Sequence, residues 1–395
     1  MSATLRTASV AVAIVVALAG VPGAVAAKGD DEPVIATKRG ESQVAASDGY
    51  LAWDANTRAQ PSHFDVFARR RGGGDRFKVN ARGTEGVLGG IDEGVLVYQQ
   101  YRGSIGAGRS DLKLFDLGKR TRRSVPGVNT NAWEYLPSKS GARVLFGRVD
   151  GDGNRVLLAN LRKDRIRTLA SGGSRARFQP GQVNGNFATW LEWPAGSRSR
   201  VHRLNIRTGN VRRVPNRKSF DWAPSVTDDG TVYFGRTGRR CGSNARLMRW
   251  VPGRGTHEVV DFPRRIDISD SYVHETDAGK LQVFHNRLRC RNLATGGDIW
   301  RVVDPWTSTL RVTKDGNGSG RVTSRPGGIR CGADCAQDYE PVPGAAVVLR
   351  ANPAEDSRFE GWSGVSCADD DTTCRVPIGK SDRTVTATFM PGGGP

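Results

Sequence analysis

No cysteine occurs in the first 240 residues; all six (Cys241, Cys290, Cys331, Cys335, Cys367 and Cys374) lie in the later part of the chain. Helix signals are nearly missing, because 50 glycines and 19 prolines interrupt most windows in which a 3.6-residue apolar period could run. Beyond the first residues no segment is apolar enough to cross a bilayer, so no transmembrane helix is expected there. The five histidines (His63, His202, His257, His274 and His285) form no pair at a recognised metal-ligand spacing, and no cofactor motif is present. Ser363 in Gly361-Trp362-Ser363-Gly364 lacks the glycine that a nucleophile elbow needs two positions later, where Val365 stands. Catalysis by a local motif is therefore not expected. A site assembled from distant strands stays open, as in a lyase or glycoside hydrolase.

What the chain does have is a period. Six glycine turns, at Gly49, Gly94, Gly141, Gly185, Gly230 and Gly279, are spaced 45, 47, 44, 45 and 49 residues apart. Each opens a short apolar strand with a large aromatic anchor: Trp53, Tyr98, Phe146, Trp190, Phe234 and Phe284. Repetition at this interval is what four-stranded propeller blades produce. The expected fold class is therefore all-β, a six-bladed propeller. In the third repeat the strands are placed at Arg143 to Arg148, Arg155 to Leu161 and Arg165 to Ala170. The sixth repeat lacks an outer strand, since Asp304-Pro305-Trp306 follows its third strand directly. The apolar piece Val34 to Thr37 is expected to supply it and close the ring, removing two exposed sheet edges.

The amino terminus reads as an export signal. Arg6, an apolar run from Val10 to Ala19 and the small residues Ala24 to Ala27 suit cleavage near residue 26 or 27, with an uncleaved anchor as the alternative. In an exported chain, an even cysteine count favours disulfides. Cys331 with Cys335 and Cys367 with Cys374 sit around turns as local staples; a four-cysteine zinc site is the rival, with ill-fitting spacings. Cys241 and Cys290 follow Phe234 and Phe284 by seven and six residues, hence in equivalent loops of neighbouring blades where they can bridge. Asp150, Asp152 and Asn154 alternate like calcium ligands, but Arg155 and Leu161 stand where such a loop needs glycine and glutamate. A hairpin turn is expected, with calcium left open.

On these residues, the region from 33 to 305 resembles the TolB-like six-bladed propellers, whose blades begin with an Asp-Gly turn and an aromatic-bearing strand. The segment 307–390 resembles bacterial repeat domains of the internalin B-repeat type. That likeness rests on Leu310-Arg311-Val312, Gly328 to Cys335, Phe359-Glu360-Gly361-Trp362-Ser363-Gly364 and Thr384 to Phe389. It implies a compact, mostly β, grasp-like module on an exported protein, with spacer or interaction roles. Residues 1–27 are assigned to the signal peptide and 391–395 to a flexible tail.

Net charge is +19, and it is uneven: residues 28–306 carry 48 Lys/Arg against 29 Asp/Glu, and residues 307–395 carry ten against eleven. Arg70, Arg71, Arg122, Arg123, Arg212 and Arg213 fall at or just beyond the turn joining the third and fourth strands of their blades. That turn points to one face of a propeller. The expected partner is an anionic cell-envelope polymer or an envelope protein, at a secreted or envelope location; sequence-specific nucleic-acid recognition is not expected.

Overall fold

The computed structural model describes residues 31–392, apart from 38–39, 57–62, 102–108, 174–175, 217–218, 254, 277–280, 292–296, 304–307, 333, 340–345, 368–370 and 380–381. The export signal assigned to residues 1–27, the turn at Asp277 to Gly279 and residues 393–395 lie outside the described residues. Among those described there is no helix.

The chain folds as a six-bladed propeller followed by a small β sandwich. Blade 1 runs Glu41–Ala46, Tyr50–Asn56, Phe64–Arg70 and Phe77–Lys78, from the axis outward. Blade 2 is Gly86–Asp92, Val95–Tyr101, Ser110–Asp116 and Thr121–Ser124; blade 3 is Trp133–Ser140, Arg143–Asp150, Gly153–Asn160 and Arg165–Gly172. Blade 4 comprises Ala176–Asn184, Phe187–Pro194, Arg200–Asn205 and Val211–Arg213, and blade 5 Phe220–Val226, Val232–Thr237, Arg246–Val251 and Gly255–Asp261. Blade 6 takes three strands from its own repeat, Ile266–Glu275, Leu281–Arg289 and Gly297–Val303.

All six aromatic anchors lie in second strands and are at least 96% buried. Period-two alternation sends one set of side chains to each neighbouring blade. In blade 3, Leu157 joins Val97, Leu112 and Phe146 on the side of blade 2, while Leu158 joins Val183, Trp190 and Leu204 on the side of blade 4.

The fourth strand of blade 6 comes from the amino end, but two or three residues earlier than Val34 to Thr37. Asp31–Ile35 pairs antiparallel with Gly297–Val303, with Asp31 opposite Val302 and Ile35 opposite Ile299. Charge sets this register. Asp31 takes both the buried His285 (3.1 Å) and Arg287, and Glu32 takes Arg301. Apolarity alone pointed downstream of these acids.

Every inner strand breaks register where it lines the axis, between Glu41 and Val44, Leu88 and Gly90, Tyr135 and Ser138, Pro180 and Val183, Trp222 and Ser225, and Ile268 and Ser271. These bulges bring backbones of neighbouring blades into contact. A Cβ on Gly89 would lie 2.0 Å from the Pro137 carbonyl oxygen, and one on Gly181 would lie 2.2 Å from that of Pro224. Only glycine permits such an approach.

Cys241 and Cys290 join the second-to-third-strand loops of blades 5 and 6, with Cα atoms 5.7 Å apart. After Val303 the chain forms two four-stranded sheets. One contains Ala336–Tyr339, Ser308–Asp315, Arg383–Pro391 and Ser357–Ser363; the other contains Arg330–Cys331, Gly320–Arg325, Ala346–Pro353 and Thr373–Pro377. They enclose Leu310, Val322, Leu349, Trp362, Val385 and Phe389. Cys331 pairs with Cys335 and Cys367 with Cys374. Of the segment assigned as a tail, Pro391 ends the last strand and the Gly392 amide donates to the Asp356 carbonyl.

Candidate binding face

First-to-second and third-to-fourth strand turns emerge on the same face of the ring. At its centre opens a vestibule of about 630 Å³, contributed by all six blades: Asp48 from blade 1, Asp92 and Glu93 from blade 2, Lys139 from blade 3, Asn184 from blade 4, Asp228 from blade 5, and His274 and Glu275 from blade 6. Its acids are engaged locally. His274 Nε2 lies 3.0 Å from Asp48 Oδ1, and the Lys139 ammonium lies 2.9 Å from Asp92, which also accepts the Gly141 amide.

The vestibule does not continue as an open channel. The Tyr272 hydroxyl of blade 6 crosses the axis to donate to the Ile91 carbonyl of blade 2 (2.9 Å). Gln182 of blade 4 donates to the Val273 carbonyl (2.9 Å) and accepts from the Val226 and Val273 amides. Below this layer lies a cavity of about 40 Å³ bordered by the bulges of all six inner strands. Two carboxyls close the ring at its level. Asp54 accepts the Gln43 and Leu88 amides, tying blade 1 to blade 2, and Asp270 accepts the Val44 amide, tying blade 6 to blade 1. Burial pushes Asp54 up to about 7; burial, with the nearby Asp54 charge adding to it, pushes Asp270 up to about 8. Sequence reasoning passed over these groups, since each polar crossing occurs once and follows no period. The prolines Pro137, Pro180 and Pro224 inside apolar strands were the available sign of the bulges.

The six arginines divide into two groups. Arg71 donates to the Ser47 carbonyl (3.1 Å) and to Gln282 of blade 6, and its guanidinium lies 5.8 Å from the centre of the Phe284 ring. Arg122 donates to the Val79 carbonyl of blade 1 and packs on Phe115. Both are struts between blades. Arg70, Arg123, Arg212 and Arg213 are exposed and have no carboxylate partner among the described residues. Arg70 lies 5.9 Å from the Tyr50 ring centre. Residues 86–213 hold 23 Lys/Arg against nine Asp/Glu, or +14, so most of the chain's excess lies in blades 2 to 4.

Asp150, Asp152 and Asn154 form a hairpin turn with other engagements. Arg155 pairs with both acids, and Asn154 accepts the Phe178 amide of blade 4. The cluster Cys241, Asp267 and Cys290 has metal-ligand geometry, but its two sulfurs are joined to each other.

Fold and site together define a closed, all-β propeller whose axis is crossed by side chains of blades 4 and 6. Residues 309–393 match the family of divergent InlB B-repeat domains. No curated protein matches the chain. Among solved structures, TolB from Acinetobacter baumannii is 14% identical with a TM-score of 0.45, over 65% of this chain and 63% of that one. This chain therefore covers less than two thirds of that protein's length. A putative TolB from Agrobacterium tumefaciens is 13% identical with a TM-score of 0.45, over 68% of this chain and 91% of that one. The β-propeller domain of the Trilobed protease from Pyrococcus furiosus is 8% identical with a TM-score of 0.44, over 67% and 95%.

Proposed function

We propose that this is an exported, non-catalytic binding protein of the cell envelope or extracellular space, whose propeller rim holds an anionic polymer while the carboxyl-terminal module serves as spacer or second contact. The observation that carries this reading is the set of exposed rim arginines without carboxylate partners among the described residues: Arg70 on blade 1, and Arg123, Arg212 and Arg213 within residues 86–213, whose net charge is +14. A guanidinium left unpaired by its own protein is available to bind phosphate or carboxylate bidentately. The test is binding of the full chain to immobilised acidic envelope polymer and to neutral dextran as salt is raised. Retention on the acidic polymer alone, falling steeply between 50 and 200 mM salt, is the expected result. Retention indifferent to salt would overturn it, and capture of one envelope protein at constant stoichiometry would replace the polymer with a protein partner.

One observation favours a second reading, a lyase or glycoside hydrolase: His274 and Asp48 stand 3.0 Å apart within a vestibule that also holds Asp92, Glu93, Asp228 and Glu275. Carboxylates facing a histidine can share a proton transfer. New reducing ends or unsaturated sugars released from an acidic polysaccharide, and abolished by His274→Ala, would establish that reading in place of the first.

A further inference from the structure

We infer that the facing perimeters of blades 3 and 4 form a contact for a linear polyol-phosphate chain, a phosphodiester polymer without bases; this rests on the reading of the rim as an anion-binding surface. Cross-strand partners share a face of the sheet, so the pairing register fixes where each rim arginine points. Arg167 pairs with Leu158, and Leu158 belongs to the apolar cluster between blades 3 and 4. Arg165, two residues earlier and opposite Asn160, lies on that same face. Across the gap, Val211 pairs with Leu204 of the same cluster and Arg213 with His202, whose ring stacks on Trp190, so Arg213 faces back toward blade 3. Arg212, the alternate residue, turns to blade 5 beside Arg203. Three exposed guanidiniums, two from one wall and one from the other, therefore face a common gap.

None of the three has an ion pair among the described residues. Glu192, the carboxylate paired to His202 on this side, is held by that ring at 2.8 Å and by Arg200 at 3.7 Å. Burial first, and then the charges of Arg213 and Arg200, keep His202 below its ordinary protonation range despite Glu192. Among the described residues the gap is thus net positive, with Glu192 already engaged.

Geometry selects the ligand. Arg165 and Arg167 are about 7 Å apart along one strand face, so a polymer charged at every unit meets both. A carboxylate is satisfied by one guanidinium fork, whereas a phosphodiester turns free oxygens to both walls at once. Among the described residues the rings of this cluster are Trp190, 4% exposed and covered by His202 at 5.3 Å, and the half-buried Phe178 and His202, so none stands fully exposed as a platform for a base.

The experiment measures binding of the full chain to poly(glycerol phosphate), hyaluronate and oligo(dT) over a salt series, with R165Q/R167Q/R213Q beside the control R70Q/R123Q/R212Q. The first variant is expected to bind poly(glycerol phosphate) at least ten-fold more weakly and to flatten the log K against log salt slope by about 2 to 3, while R70Q/R123Q/R212Q, which removes rim arginines outside the gap, weakens binding by a clearly smaller factor, about three-fold. Equal weakening in both variants, or none in the first, would overturn the inference and leave the general rim reading standing. Tighter binding of hyaluronate or oligo(dT) would overturn the choice of ligand. If the wild type retains no polyanion, both readings fall. Unchanged melting of each variant confirms that binding and not folding was altered.

Discussion

The propeller is tied together by side chains that cross from blade to blade, whereas the strands from Ser308 onward rely on an apolar sandwich and two short disulfides. In the ring, Asp31, Asp54, Gln182, Asp270 and Tyr272 each join segments between 34 and 254 residues apart. In the second unit, Cys331–Cys335 and Cys367–Cys374 close spans of four and seven residues. A ring must be shut by its two ends, so its cohesion concentrates in a few long-range contacts. A sandwich of under 90 residues has a small core and gains from local staples. Charge follows the same division: +19 in residues 28–306 and −1 in 307–395.

The comparison breaks most readily at the ring closure. A chain beginning at residue 37 lacks Asp31–Ile35, leaving an unpaired edge on Gly297–Val303 and uncompensated Arg287 beside the buried His285. Asp31 and Arg287 are partly buried, so losing the acid costs less than the roughly 3–5 kcal/mol of a fully buried pair, and the lost strand pairing adds to it. Calorimetry should show the propeller transition moving to markedly lower temperature, with the carboxyl-terminal transition unmoved. Equal displacement of both would mean the two units do not melt independently.

The disulfides sharpen it next. Cys241–Cys290 spans 49 residues and Cys331–Cys335 four. On chain-entropy grounds, C241A/C290A should cost about 4 kcal/mol and C331A/C335A about 2. Denaturant unfolding of the two double variants checks the order; a larger cost for the short staple would assign its effect to the folded core around Ile329 and Cys331.

Much of the ring was legible because blades repeat: the aromatic anchors recur at one interval and occupy the second strand of every sheet, and the first five glycine turns join the first two strands of theirs. The closing strand was legible only approximately, as apolar Val34 drew attention away from Asp31 and Glu32, whose partners Arg287 and Arg301 lie over 250 residues distant. The rim was half legible. A run such as Arg122-Arg123 announces positive charge, but not that Arg122 folds back onto the Val79 carbonyl while Arg123 is exposed with no ion pair among the described residues. Period-two alternation could have separated them, since adjacent residues of a strand face opposite neighbours. Applied to Arg165-Ile166-Arg167 it would also have flagged the pair that faces blade 4.

The smallest expected effect concerns the axis, which has no counterpart in the sandwich. Asp54 and Asp270 titrate near 7 and 8 in the folded ring because burial disfavours their charged forms. Unfolded, both would ionise near 4. Between those values the folded state binds more protons than the unfolded, so stability falls as pH rises, and it levels only above the folded values. His202 and His285, both held below their ordinary range, act oppositely, with stability lost as pH falls below about 6.5. Over the window from pH 6.5 to 9 the carboxyls outweigh the histidines, whose opposing contribution is complete by about pH 7.5. Across it the propeller should lose on the order of 1–3 kcal/mol. In D54N the slope should fall by half or more, since one acid is gone and Asp270 no longer faces a second charge. The readout is the slope and not the absolute stability, because the asparagine amide meets the donor of Gln43 or Leu88 at every pH. Identical slopes for wild type and D54N would show that the axis carries no titrating pair.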